Sequence, residues 1–263
     1  MTGRSLLDNR PLCGAAGVAG LFCLVELAGR TGLIDPIVFP LASTIAGRAA
    51  ALAADGDFLA DVVSTLGAWA AGLLLTVLVA VPAGFALGTM PRVESALRPV
   101  LEFLRPIPSV ALIPLALLLF SDRFDMKIAV IVYAASWPVL INTMYGLKDV
   151  DPLAKETLRS FGFGPLAVLW RVSLPSTAPF IATGVRLAAS IALILAISAE
   201  LLAGGASGIG TFIIEAGSSP DALEFIVAAT IWAGVIGIVS NTLFTLVERR
   251  LFHWHLARTE GAR

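Results

Sequence analysis

The sequence predicts an all-α, polytopic membrane protein with six transmembrane helices, and three observations carry that prediction. Hydrophobic residues make up 57% of the 263 and charged residues only 14%, with a mean hydropathy of +0.89, well outside the soluble range. The charges are clumped: none falls in 62–91, 106–121, 128–147, 172–185 or 225–247. Crossing hydrocarbon roughly 30 Å thick takes about 20 apolar residues of helix, and most of these stretches qualify. Third, the basic residues are unevenly shared between the two sets of loops that six spans create. The net charge of −1 comes with no basic patch suited to nucleic acid.

In chain order, Arg4 and Arg10 precede an apolar run over 11–28. A basic start with small residues near its end also suits a secretory signal, but an uncleaved first span is the better reading in a chain that stays membrane-embedded. Glu26 lies near the far end of this span, within reach of the interface. Cys13 and Cys23, on one helix, are about 15 Å apart along its axis and cannot bridge to each other. Asp35-Pro36 and Phe39-Pro40 break the next segment, which reads as external through residue 61 with a surface helix at about 41–54. The second span, 62–87, contains Gly84 and is followed by Gly88, a spacing that lets helices approach closely.

Arg92 and Arg98 flank a short inner loop before a third span over 101–120. Arg105-Pro106, Pro108 and Pro114 keep it from being one smooth helix; broken backbone is tolerated in a membrane where it packs on protein or lines a cavity. The fourth span, 128–145, contains Trp137-Pro138. The fifth, 178–203, holds Arg186 and Glu200, and Gly204 to Gly210 form a glycine-rich turn against which Glu200 packs. The sixth covers 225–247. His253 and His255 read as solvated tail residues, and no Cys/His spacing suggests a metal site.

Six spans put both termini on one side, together with Arg92, Arg98, Lys148, Lys155, Arg159, Arg171, Arg249 and Arg250. With Arg4, Arg10, Arg258 and Arg263, twelve basic residues fall there. Four fall opposite: Arg30, Arg48, Arg123 and Lys127. The positive-inside rule makes the first side cytoplasmic, and with it the charged stretch 151–175. There Asp151 suits a helix N-cap and Pro152 the first helical position. Leu153, Thr157 or Leu158, and Phe161 recur at helical spacing, and Gly162 can supply a left-handed stop. Gly164-Pro165 opens a second short helix with Leu166, Leu169 and Trp170, ending near Leu174-Pro175.

This loop carries a resemblance. Glu156 stands six residues before Gly162, and Val172, Leu174 and Pro175 follow at set distances. The arrangement resembles the pattern E-A-A-x3-G-x9-I-x-L-P of the cytoplasmic loop in permease subunits of binding-protein-dependent ABC importers, with Thr157 and Leu158 in place of the two alanines. The runs ALGTMPR (86–92), RPIPSVALIPLALLLF (105–120), SLPSTAPFIATGVRLA (173–188) and AELLAGGASGIG (199–210) extend it from about Val62 to Arg250. They resemble the nitrate, sulfonate and taurine branch, with Ser121 departing from the usual glycine.

The resemblance implies a type I ABC importer permease fold and a bacterial inner-membrane protein with three parts: a first helix and external segment (1–61), a permease core (62–250) and a cytoplasmic tail (251–263). It implies ATPase subunits that bind ATP-Mg, a second permease copy forming a homodimer, an external substrate-binding protein, and a lipid surround. The chain itself would be no enzyme, with no catalytic residue, no metal and no cofactor. None of its three lysines follows a glycine, so the phosphate-cradling G-x4-G-K-[ST] loop is absent. ATPase coupling is expected of Leu153, Glu156, Leu158, Phe161, Gly162, Leu174 and Pro175. Arg105, Pro108, Arg186 and Glu200 are candidates for the translocation path, since charge within a span is costly and rarely idle. A secondary transporter driven by an ion gradient is the alternative, but it would show internal repeats and paired broken helices. A membrane-embedded enzyme would need clustered acidic or histidine residues within spans.

Overall fold

A computed structural model describes residues 10–35 and 39–252; His253 and His255 therefore lie outside the described residues. The described residues fall into two compact units, one drawn from 1–59 with 212–234, the other from 60–211 with 235–263.

In the first unit, α1 (Arg10–Arg30) and α2 (Ala42–Leu52) meet through Glu26. Its carboxylate accepts from the Ser43 amide (2.9 Å) and hydroxyl (3.0 Å) and from Arg30 Nε (2.7 Å). A residue sixteen positions before Ala42 thus occupies the orphan donors at the start of α2, where Leu41 offers no side-chain cap. From α2, Arg48 donates to Asp221 (2.6 Å) and Glu224 (3.0 Å) and covers the Phe225 ring at 4.5 Å. Trp232 Nε1 donates to Ala49 O at 2.9 Å.

The second unit is built on α6 (Arg123–Lys148) and α9 (Leu174–Ala203), with α3 (Gly56–Thr89), α4 (Pro91–Leu104), α5 (Ile113–Leu119), α10 (Ile209–Ala216) and α11 (Ala222–Leu251) contributing to it in part or whole. Buried alanines at 134, 135, 188, 189, 192, 196 and 199 form the α6–α9 seam. Without a hydrophobic drive between helices in lipid, small residues that let backbones close up supply the packing. The α3–α6 contact works the same way. A Cβ on Gly72, Gly84 or Gly88 would meet Ile131, Thr143 or Leu147 at 2.6–2.7 Å. The constant offset of 59 between partners means that the two helices run parallel in register. Gly84→Leu is therefore expected to cost about 1–3 kcal/mol by overpacking and to lower membrane abundance on an immunoblot. Gly67→Ala, with nothing within 4 Å of the new Cβ, should leave abundance unchanged.

Among the described residues, five helical stretches are long and apolar enough to cross a membrane, and a sixth arises if the bent pair Pro91–Leu104 and Ser109–Leu119 is one span. The six expected spans match these. Two details differ. The short inner loop expected before the third span is helical: Pro91 sits in the first turn of α4, and the break comes at 105–108, before a 3₁₀ turn (Ser109–Leu112), with an 83° bend. Pro106 and Pro108 lack amide hydrogens and stop the helix there. The second difference lies at the start of the fifth span. No break occurs at Leu174-Pro175; α8 (Pro165–Val168) runs through a π turn (Leu169–Ser173) into α9. The wider turn, closed by the Leu174 amide on Leu169 O, carries the helix past Pro175, which has no amide hydrogen to give.

Candidate functional site

The stretch 151–175 forms a defined turn that carries α7 (Pro152–Ser160) and then runs through α8 into α9. Asp151 Oδ1 accepts from the Leu153 amide at 2.8 Å, and Pro152 opens α7. At its other end Gly162 has φ +82°. The Gly162 amide bonds to Arg159 O (2.9 Å) and the Phe163 amide to Leu158 O (3.1 Å). This nested pair of bonds is the Schellman stop, which needs a left-handed residue. The turn is tied in at both sides. Lys155 Nζ reaches Leu147 O on α6 (3.4 Å), and the Arg171 guanidinium lies 4.6 Å from the Phe163 ring centre.

The turn presents large apolar side chains among exposed charged and polar ones. Leu153 is 68% exposed and Phe161 77% exposed, with Leu166 and Trp170 similarly bare. Leu158 and Leu174 are half-buried, and Glu156 and Pro175 are exposed. The Glu156 carboxylate has no ion-pair partner among the described residues, so it is available to another surface.

The expected path residues do not converge. Arg105 is the C-cap of α4 and Pro108 precedes the 3₁₀ turn. Arg186 and Glu200 are fourteen residues apart on α9, about 21 Å along its axis. Arg186 Nε lies 3.2 Å from Glu248 Oε2, whose other oxygen accepts from Thr183 at 2.8 Å. Glu200, 1% exposed, accepts from Lys127 Nζ (3.0 Å), Thr65 Oγ1 (3.0 and 3.1 Å) and the Gly210 amide (3.0 Å).

Lys127 is the residue the sequence misplaces. Counted above as an external loop cation, its side chain is only 7% exposed and closes a buried ion pair. The one signal was its position immediately before the uncharged run 128–147. Among the described residues, no three His, Cys, Asp or Glu side chains are grouped to hold a metal ion.

The family model for the inner membrane component of binding-protein-dependent transport systems matches residues 72–253. The chain is 30% identical to a nitrate import permease protein of Leptolyngbya laminosa over 191 residues, 73% of this chain and 68% of that one. It is also 30% identical to a putative aliphatic sulfonates transport permease protein of Bacillus subtilis over 236 residues, 90% and 85% of the two chains. Among solved structures, the inward-facing MetNI methionine ABC transporter superposes with a TM-score of 0.63 at 14% identity, over 73% of this chain and 94% of that one, which shows a common fold. The chain therefore belongs to the binding-protein-dependent transport inner membrane family, as a multi-pass permease with the type I ABC importer fold in the nitrate, sulfonate and taurine branch.

Proposed function

We propose that this chain forms the translocation path of an ATP-driven importer for a small organic or inorganic anion of the nitrate, taurine or sulfonate kind. An external binding protein delivers the solute, and a separate ATPase, carrying ATP-Mg, supplies the energy. The observation that carries this reading is α7: a short, doubly capped helix with bare Leu153 and Phe161 and an exposed Glu156. It has the form of a handle that a partner grips. Nucleotide binding closes the ATPase pair and swings α7, the rigid α8–α9 rod carries the motion into the spans, and the path turns outward to receive solute. Hydrolysis resets it. Leu174 and Pro175 sit at the joint of that rod, so their role is to transmit rather than to contact the ATPase.

The functional importer contains two copies of the chain in a bacterial inner membrane, with lipid covering the exposed apolar helices and both termini cytoplasmic. The parts divide as 1–61, 62–250 and 251–263. The assembly is tested by purification: the tagged chain should bring down an ATPase subunit and a second copy of itself. Uptake into vesicles lacking any ATPase would overturn the reading. For orientation, a phosphatase reporter fused after Arg250 should be inactive and a fluorescent protein there bright; the opposite pair of signals would reverse the topology.

A further inference from the structure

A cleft of about 360 Å³ opens beside α4 and α6. Five of its lining side chains are charged: Glu94, Arg98, Glu102, Arg105 and Lys148. Three cations face two carboxylates, and the pairing is uneven. Glu94 Oε1 alone accepts from both Lys148 Nζ (2.8 Å) and Arg98 Nη2 (3.1 Å). With Glu102 as the second carboxylate, three cations against two anions leave the cleft one net positive charge. Arg105 is exposed and has no ion-pair partner among the described residues. Trp137 forms part of the wall, and its indole N–H is buried with no acceptor. The wall is braced, since Tyr133 packs edge-on against Trp137 at 6.0 Å and donates its hydroxyl to Leu104 O at 2.7 Å, beside Arg105.

We infer that this cleft binds the transported anion, with Arg105 as the contacting cation and the Arg98–Glu94–Lys148 cluster setting the surrounding positive field. The inference rests on the reading of the chain as an anion importer. A guanidinium offers parallel N–H donors to two oxygens of a planar or tetrahedral oxoanion, and the volume suits a small solute. Net positive charge lining a cleft also raises local anion concentration.

The test uses the assembled importer with Cys13→Ser and Cys23→Ser, which remove both native cysteines, and a reporter thiol at Ile141→Cys in the cleft wall. Met144→Cys is a second reporter position in case the first impairs assembly. The rates of modification by anionic sulfonatoethyl and cationic trimethylammonioethyl methanethiosulfonate are compared as a ratio. A unit charge across a cleft of this size changes that ratio by about fivefold. Arg105→Gln is therefore expected to lower the anion-to-cation ratio by about that factor, Arg105→Lys to keep it, and millimolar nitrate or methanesulfonate to slow modification with Arg105 in place. An unchanged ratio in Arg105→Gln, or no slowing by either anion while the importer takes that anion up, would overturn the assignment. The parent reading is judged separately: an otherwise unaltered importer that takes up none of nitrate, taurine or methanesulfonate is not an anion importer, whatever the thiol ratio shows.

Discussion

Lys127→Met is expected to destabilise the protein by about 3–5 kcal/mol, the range for removing one partner of a buried ion pair. The Lys127 and Glu200 side chains are 7% and 1% exposed and meet at 3.0 Å. With the lysine gone, the Glu200 carboxylate keeps only neutral donors, Thr65 Oγ1 and the Gly210 amide, in a place water does not reach. The damage should spread to the glycine-rich turn, because the same network fixes its backbone. The Gly208 amide bonds to Asp61 Oδ1 (2.7 Å) and the Ile209 amide to Thr65 Oγ1 (2.9 Å). A Cβ on Gly208 would collide with the Glu200 carboxylate, so the turn and the carboxylate cannot shift independently. Membrane abundance and the melting temperature of the purified importer in detergent should both fall. Lys127→Met combined with Glu200→Gln should recover most of the loss, since a neutral amide still accepts from Thr65 and Gly210 without a stranded charge. If the double variant is no more stable than Lys127→Met alone, the pair is not what holds this region together.

That pair also marks where sequence reading runs out. Hydropathy located the spans because a helix in lipid must satisfy its backbone internally and present apolar side chains over its whole length. Local chemistry located α7, since Asp151, Pro152 and Gly162 act through bonds reaching only two to five residues. The sequence shows only a short loop between Arg92 and Arg98, where α4 is already helical, because the charged residues and Pro99 give no continuous apolar run. The passage through Pro175 was invisible because a π turn has no residue signature of its own. Lys127 and Glu200 are 73 residues apart, and Glu26 caps a helix seventeen residues on at Ser43. Nothing in one sequence couples such positions; only the packing of the helices brings them together.

Gly162→Val is expected to abolish transport and ATPase association while the protein reaches the membrane at near-normal level. Nothing lies within 4 Å of a Cβ built on Gly162, so the substitution meets no clash, and its effect must come from the backbone. At φ +82° an L-residue is disfavoured by roughly 1 kcal/mol or more, and a β-branched one further. That is too little to unfold a helical membrane domain, but it is enough to relax the stop. Losing the left-handed residue breaks the Gly162–Arg159 and Phe163–Leu158 bonds. The end of α7 then unwinds or runs on, and Phe161 and Leu153 leave the positions in which they are presented. Two companion variants separate this cause from mere bulk. Gly162→Asn should retain much of the activity, because asparagine tolerates the left-handed region better than valine. Gly164→Ala should be close to wild type, because Gly164 has an ordinary φ of −71° and open space around it. Glu156→Lys, which reverses charge on the same exposed surface, should weaken ATPase association without altering the turn. The measurements are membrane abundance, ATPase pull-down and solute uptake on each variant. Normal uptake by Gly162→Val with its ATPase attached would mean that 151–175 is only a linker between two spans.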